Sequence, residues 1–187
     1  RFGPDTDIVH ADALQLDSMV AALKGVDVAF YLIHSLGASE DRFEDLEARC
    51  AANFLKAAVY NKVSRIIYLG GIIAKQQSEP LSSHMKSREH VGAILRQSDI
   101  PVIELRASII IGAGSISFEI CRSLSERLAV MVVPRWVNIM AQPISIRDVI
   151  HYLIDSITLD IQGHKIFEIG GAERTSYLDI MKTYKVD

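Results

Sequence analysis

The sequence has 187 residues, of which 49 % are hydrophobic and 23 % are charged. This length and composition suit one globular domain with a proper core and exclude a disordered chain. Lys and Arg number 20 against 23 Asp and Glu, so the net charge is −3 without a long basic run. A surface that neutralises nucleic-acid phosphates is therefore not expected.

Two further function classes are disfavoured by the sequence. No apolar run approaches the ~18 residues that a membrane-spanning helix needs, and no signal-peptide pattern is found at the start. Cys50 and Cys121 lie on separate predicted helices and match no metal-ligand spacing. We therefore expect a reduced, cytoplasmic protein with no membrane span and no metal site.

Strands and helices alternate in the first third of the chain. Strands are predicted at residues 7–10, 26–33 and 65–69, and helices at residues 19–24 and 42–61. The run at 26–33, VDVAFYLI, is typical of a strand buried on both faces. Asp17-Ser18 is a capping signal for the first helix, and Gly25 is expected to follow its end. The long helix has an apolar stripe of Phe43, Leu46, Cys50, Phe54 and Ala57.

Residues 81–114 read as an amphipathic helix, a turn, a buried strand and a glycine-bearing loop. On the helix, His84, Arg88, Val91 and Leu95 are spaced by four, three and four residues and share one face. Polar groups stand at the N-terminal end of that face and apolar groups at the other end. A helix of this kind that feeds a parallel strand often lines a ligand cleft.

The remaining elements continue the alternation. A helix is predicted from about residue 115 to residue 128, Ser145 is expected to cap a helix at 146–157, and a strand is predicted at Lys165–Ile169. Thr175 is expected to cap a terminal helix. Alternating strands and helices predict a parallel α/β sheet with right-handed crossovers.

Seven short motifs follow one another along nearly the whole chain. They are Asp12-Ala13, YLIHS at 31–35, RIIYLGG at 65–71, the helix that contains His84, ELRASIIIGAG at 104–114, PISIRDV at 143–149 and FEIGG at 167–171. In order and spacing they resemble the atypical short-chain dehydrogenases/reductases. The closest branch is the NmrA-like and nucleoside-diphosphate-sugar-epimerase-like one.

The resemblance implies a doubly wound parallel sheet with a Rossmann-like NAD(P)-binding fold. Residues 1–187 would form a single domain, in which residues 115–187 contribute the substrate side. The family's GxxGxxG segment would precede the strand at Ile8, so the fold's first strand–helix–strand unit is absent from this chain. We expect roughly 50–60 further residues upstream, the length of such a unit.

The resemblance also implies cofactor-binding residues. Asp12 would hydrogen-bond the adenine amino group, with Ala13 beside the ring; the alternative for Asp12 is a loop carboxylate that caps a turn. The remaining implied positions near the ribose, phosphates and nicotinamide side are Leu32, His34, Ser35, Gly70 and Arg106. For His34 the alternative is a hydrogen bond to a neighbouring loop, and for Arg106 an ion pair within the fold.

Two catalytic candidates come from the helix at 83–95. His84 and Arg88 have the i, i+4 spacing of the family's Tyr-x-x-x-Lys pair, in which the lysine lowers the pKa of the tyrosine. A histidine can exchange a proton near neutral pH, whereas an arginine holds its proton. Gly70-Gly71 stands where active relatives have a Ser or Thr. The alternative is a solvated helix N-terminus.

The resemblance leads to two hypotheses. The favoured one is an NAD(P)-dependent oxidoreductase or epimerase-like enzyme that acts on a small carbonyl, hydroxyl or sugar-like substrate, with His84 as the acid. The other is a non-catalytic NAD(P)-binding redox sensor or assembly protein. The cofactor is NAD or NADP, with NADP slightly favoured, although the residues that would read the ribose 2′ position lie upstream of Arg1. The family also admits a homodimer.

Overall fold

The computed structural model describes residues 3–34, 40–72, 83–112 and 140–186. Within them, a parallel sheet has helices on both faces, and two short ribbons accompany it. Up to the third strand the elements are α1 (Leu16–Ala22), β1 (Val28–Tyr31), α2 (Glu40–Tyr60), β2 (Arg65–Gly71), α3 (Ser83–Leu95) and β3 (Val102–Ala107). They continue with β4 (Ile110–Ile111), β5 (Met140–Ala141), β6 (Ile144–Ser145), α4 (Ile146–Thr158), β7 (Lys165–Ile169), β8 (Thr175–Ser176) and α5 (Tyr177–Val186).

The main sheet has four strands in the order β1-β2-β3-β7, and every neighbouring pair is parallel. Val28 of β1 is aligned with Arg65 of β2, and Ile103 of β3 with Lys165 of β7. Because the strands are parallel, their carboxyl ends lie at one edge of the sheet. The parallel α/β fold predicted from the alternating elements is confirmed.

Two apolar cores hold the helices on the sheet. In the first, α1, α2 and α3 pack on β1 and β2 around Tyr31, Phe54 and Leu95. In the second, α4 packs on the opposite face, where Val149 joins Ile103. All six residues of β3 are buried, as expected for a strand between two covered faces.

Strand β1 is shorter and more exposed than the sequence indicated. The strand ends at Tyr31, and Phe30 and Leu32 are 38 % and 56 % exposed. The strand predicted at residues 26–33 is confirmed at Val28–Tyr31, whereas its burial on both faces is wrong. Among the described residues β1 is hydrogen-bonded only to β2, so it is an edge strand.

The strand predicted at residues 7–10 is also wrong. These residues have no regular structure, and Ile8 and Val9 are 76 % and 61 % exposed. A strand is stabilised by its hydrogen bonds to a neighbour. No other strand of the described ranges pairs with this segment, so its β-branched residues alone do not form one.

The first helix begins earlier than predicted. It starts at Leu16 with Gln15 as the N-cap residue, and the side chain of Gln15 makes no capping hydrogen bond. The hydroxyl of Ser18 instead accepts a hydrogen bond from the Asp12 N–H at 2.9 Å. Gly25 adopts φ +76° after the helix, in the left-handed region that favours glycine.

The caps of the two C-terminal helices were predicted with different success. Ser145 caps α4 as predicted, since its Oγ accepts a hydrogen bond from the Asp148 N–H at 3.1 Å. For α5 the cap is Ser176, whose Oγ accepts from the Asp179 N–H at 3.1 Å. The cap is not Thr175, because the helix begins at Tyr177 and the residue directly before it is Ser176. The strand predicted at Lys165–Ile169 is confirmed.

Some predictions lie outside the described residues. They concern Ser35, the helix predicted at 115–128 and Cys121 within it.

Candidate functional site

The predicted site residues lie around the carboxyl ends of β1, β2 and β3. His34 follows β1 by three residues, Gly70 and Gly71 end β2, and Arg106 is the penultimate residue of β3. Gly70 is aligned with Arg106 in the sheet. Helix α3, which carries Arg88, packs against β2 and α2 beside this edge. In open parallel sheets this edge is where ligands bind.

At the centre of the site lies a buried carboxylate that the sequence reasoning missed. Glu47 of α2 is 4 % exposed. Its Oε1 lies 2.8 Å from Nδ1 of His34, and its Oε2 accepts a hydrogen bond from the hydroxyl of Ser87 on α3. Glu47 thus connects the end of β1 with α3.

Arg88 lies over the end of β2. Its Nη2 is 3.3 Å from Nε2 of His34, and its backbone carbonyl accepts a hydrogen bond from the Tyr68 hydroxyl at 3.1 Å. A Cβ on Gly71 would lie 3.4 Å from Cδ of Arg88 and 3.4 Å from Cε of Met85. The stem of Arg88 therefore passes beside the position at which the resemblance expects a Ser or Thr.

Two tyrosines lie beneath this cluster and are neutral. Tyr31 contacts Phe54 edge-on, with 4.9 Å between ring centroids, and Tyr68, with 5.9 Å. Burial raises the pKa of Tyr31 well above its ordinary value, and the charge of Glu47 adds to that effect. Burial also raises the pKa of Tyr68, to about 12, although the nearby guanidinium of Arg88 opposes the shift.

A second buried carboxylate, Glu104 of β3, is 1 % exposed and is held by two arginines. Nε of Arg106 donates to Oε1 at 2.6 Å, and Arg96 of α3 donates to Oε2. Gly92 makes this arrangement sterically feasible, because a Cβ there would lie 2.6 Å from Oε2 of Glu104. Arg106 is thus ion-paired within the fold, which was the alternative to a ligand contact.

The adenine-side candidates lie on an exposed turn before α1. Oδ1 of Asp12 accepts a hydrogen bond from the Leu14 N–H at 2.9 Å, so this carboxylate does cap a turn. The Ala13 carbonyl accepts a hydrogen bond from Nδ2 of Asn53 on α2 at 3.0 Å. Burial raises the pKa of the Cys50 thiol, and the charge of Asp12 raises it further. The turn therefore lies close to α2.

The structure brings some of the predicted site residues together. His34 and Arg88 are in contact, and Gly71 adjoins Arg88. Leu32 is 56 % exposed just past β1. His84 lies in the first turn of α3, but its side chain is outside what the structure describes, and so is the whole of Ser35.

Glu47 and Ser87 could have been found from helix periodicity. Glu47 falls on the apolar stripe of α2, four residues after Phe43 and three before Cys50. A charged residue on the buried face of a helix is rarely left without polar partners. Ser87 is less conspicuous, because a serine within a helix is compatible with either face.

The described ranges contain neither a cluster of metal-ligand side chains nor a helix suited to span a membrane. No three His, Cys, Asp or Glu side chains there are grouped so that they could hold a metal ion. In the same part of the chain, no helix combines the length and the apolar character needed to cross a membrane.

Sequence comparisons do not place the chain in a family. No protein-family model matches it, and no curated protein sequence does.

Solved structures, in contrast, resemble the chain closely in backbone. DesIV, a dTDP-glucose 4,6-dehydratase from Streptomyces venezuelae, matches with NAD bound at TM-score 0.78 and 16 % identity, covering 97 % of this chain and 63 % of that one. UDP-N-acetylglucosamine 4-epimerase from Bacillus cereus matches at TM-score 0.76 and 16 % identity, covering 95 % and 68 %. The fold is Rossmann-like.

A third similar structure is the Bordetella bronchiseptica enzyme WbmG in complex with NAD and UDP. It matches at TM-score 0.75 and 14 % identity, covering 95 % of this chain and 62 % of that one. The chain thus spans about two thirds of the length of these three structures. At 14 % to 16 % sequence identity, these matches establish only the backbone fold. That fold positions His34 and Arg88.

Proposed function

We propose that the chain belongs to an NAD(P)-binding protein of the atypical short-chain dehydrogenase/reductase type, in the NmrA-like or epimerase-like branch. It would act as an oxidoreductase on a small carbonyl, hydroxyl or sugar-like substrate. The observation that carries the proposal is the convergence of His34, Gly71 and Arg88 at the carboxyl edge of three parallel strands. That edge is the ligand-binding edge of doubly wound sheets.

The residues around this edge fit a dinucleotide. Asp12 is exposed, and a carboxylate there suits the amino group of adenine, while the partly buried Ala13 offers apolar surface beside it. Leu32 is exposed at the end of β1, next to the polar His34. Support also comes from the structural neighbours, since DesIV and WbmG were solved with NAD bound.

The roles of the catalytic candidates follow from their chemistry. The dinucleotide would supply hydride transfer. His84, in the first turn of α3, would exchange a proton with the substrate oxygen. Arg88 would hold a ribose or phosphate oxygen as a fixed positive charge, since its guanidinium keeps its proton.

Dinucleotide binding tests the proposal. Calorimetric titration of NADH and NADPH into the product of the complete reading frame is expected to show micromolar binding. Asp12→Asn is expected to weaken it about tenfold, because a hydrogen bond from the adenine amino group to a charged acceptor is lost. Asp17→Asn, at an exposed carboxylate on α1, is the matched control. A folded protein that binds neither dinucleotide would rule out the proposal.

A second candidate function is a non-catalytic dinucleotide sensor or assembly protein. Two observations favour it: Gly70 and Gly71 carry no hydroxyl, and the guanidinium of Arg88 is engaged with His34. A panel of carbonyl substrates separates the two functions, because an enzyme oxidises the bound NAD(P)H and a sensor does not. For the enzyme, His84→Ala abolishes turnover and preserves cofactor binding.

A further inference from the structure

A buried carboxylate on α2 reaches two neighbouring elements through its two oxygens. Oε1 of Glu47 lies 2.8 Å from Nδ1 of His34, beyond β1, and Oε2 is bonded to the hydroxyl of Ser87 on α3. The side chain of Glu47 is 5 % exposed, whereas that of His34 is 26 % exposed. Burial of a carboxylate is costly unless hydrogen bonds compensate it, so these contacts constrain its position strongly.

The partners of His34 determine which ring nitrogen carries the proton. Arg88 is only a donor and keeps its charge, and its Nη2 lies 3.3 Å from Nε2 of His34. Nε2 must therefore accept, which leaves the ring proton on Nδ1. Nδ1–H in turn faces Oε1 of Glu47, a pure acceptor when ionised. Only the Nδ1–H tautomer of His34 satisfies both the contact with Glu47 and the contact with Arg88.

We propose that Glu47 is a positioning residue: it fixes the Nδ1–H tautomer of His34 and, through the lone pair on Nε2, holds the guanidinium of Arg88 at the carboxyl ends of β1 and β2. A carboxylate bonded to one ring nitrogen sets the state of the other in the same way in many histidine sites. The charge on Glu47 is also felt nearby, since it raises the pKa of Tyr31 in addition to the effect of burial.

The tautomer can be measured directly in the intact protein. A long-range ¹H–¹⁵N correlation spectrum at about pH 8, where an ordinary imidazole is neutral, distinguishes a protonated from an unprotonated ring nitrogen. The His34 signals are assigned by their loss in His34→Gln. The expected result is a protonated Nδ1 and an unprotonated Nε2.

Three variants identify the residue that sets this tautomer. Glu47→Leu removes the acceptor for Nδ1–H, and the His34 signals are expected to move towards the Nε2–H pattern, with loss of the contact between Nε2 and Arg88. Ser87→Ala is the matched control, because it removes the other hydrogen bond of the same carboxylate and is expected to preserve the Nδ1–H pattern. Arg88→Met is likewise expected to preserve it, because Glu47 remains.

Several results would overturn the inference. One is an Nε2–H tautomer or a doubly protonated ring in the unmodified protein. Another is a change of tautomer in Arg88→Met, which would make Arg88 the determinant. An unchanged Nδ1–H signal in a folded Glu47→Leu variant would also contradict it. If Glu47→Leu does not fold, the spectra of the unmodified protein and of Arg88→Met still decide.

The consequence for binding rests on the proposed function. NADH affinity is expected to fall about tenfold in Arg88→Met and to a similar extent in Glu47→Leu. The double variant should be no weaker than Arg88→Met alone, because both changes disable one group. Additive losses would contradict the coupling. If the protein binds no dinucleotide, the proposed function fails while the tautomer experiment remains valid.

Discussion

Two buried carboxylates at the sheet have different hydrogen-bond partners. Glu104 contacts the guanidinium groups of Arg96 and Arg106, whereas Glu47 is bonded to the hydroxyl of Ser87 and to Nδ1 of His34. An ion pair compensates the loss of hydration by charge, and a neutral donor does so by hydrogen bonding only. Glu104 therefore belongs to the framework, and Glu47 to the site.

Removing the charge of Glu104 should destabilise the protein. Glu104→Gln keeps the shape of the side chain but removes the buried counter-charge of two largely buried guanidinium groups, so the free energy of unfolding should fall by about 3 kcal/mol. Urea denaturation measures it. Glu168→Gln, on the neighbouring strand β7 and exposed, should change it by less than about 0.5 kcal/mol. Equal effects of the two variants would contradict the ion-pair assignment.

The buried tyrosines predict a loss of stability at alkaline pH. Burial raises the pKa of Tyr68 from 10.0 in the unfolded chain to about 12 in the folded protein. The unfolded state therefore loses its proton first, so the stabilising contribution is complete below about pH 10 and declines as the pH rises towards about 12.

Tyr68→Phe should flatten this decline in urea denaturation between about pH 9 and pH 11, at the cost of the hydrogen bond to the Arg88 carbonyl. Tyr60→Phe removes a hydroxyl from a side chain that is 73 % exposed and is the control. An identical pH slope in Tyr68→Phe and in the unmodified protein would contradict the assignment.

Two asparagine side chains, one on α2 and one directly after it, donate hydrogen bonds to the backbone before and within α1. Nδ2 of Asn53 donates to the Ala13 carbonyl at 3.0 Å, and Nδ2 of Asn61 donates to the Val20 carbonyl at 2.9 Å. Both are side-chain hydrogen bonds to backbone about forty positions earlier, one from α2 and one from the residue directly after it. They differ in what they hold: Asn53 holds the turn that contains Asp12, and Asn61 holds the middle of α1.

This difference yields a matched pair of variants. Asn53→Ala should lower the free energy of unfolding by about 1 kcal/mol, and Asn61→Ala by at least as much, because Nδ2 of Asn61 also donates to the Ala57 carbonyl at 3.0 Å. If Asp12 and Ala13 contact adenine, Asn53→Ala should also weaken NADH binding several-fold, while Asn61→Ala preserves it. Calorimetry and urea denaturation measure the two quantities. Equal effects of both variants on binding would argue against an adenine site at this turn.

The elements that could be predicted are those whose sequence signals lie within a few residues of each other. Ser145 capping α4 and the strand Lys165–Ile169 depend on residues within a few positions of each other. Elements whose state depends on partners were not predictable: the apolar segment at 7–10 has no paired strand among the described residues. The site shows the same division: periodicity places Glu47 on the buried face of α2, but its contact with His34 and the contact of His34 with Arg88 join residues that are distant in sequence.

At the scale of the whole molecule, the edge of the sheet at β1 exposes apolar side chains. β1 is paired on one side among the described residues, and Phe30 on it is 38 % exposed. Ile8 and Val9 add exposed β-branched surface earlier in the chain. An apolar edge strand is a template for pairing with another chain.

Self-association of the 187-residue chain should therefore depend on this edge. Phe30→Lys should reduce the concentration-dependent increase in particle size, because charged side chains oppose edge-to-edge pairing. Light scattering over a concentration series measures it. Val59→Lys, at an apolar residue of α2 that is 50 % exposed, is the control. Equal reductions in both variants would point to net charge instead of the β1 edge.

Gly71 determines whether the end of β2 could carry a side chain. A Cβ at this position would meet its nearest described neighbours, Arg88 and Met85, at ordinary contact distance, whereas one at Gly70 would lie 3.2 Å from the Tyr68 ring. Among the described residues, a Cβ at the end of β2 would therefore meet no steric clash. We expect Gly71→Ser to fold with an unchanged backbone, which would place a hydroxyl beside the stem of Arg88.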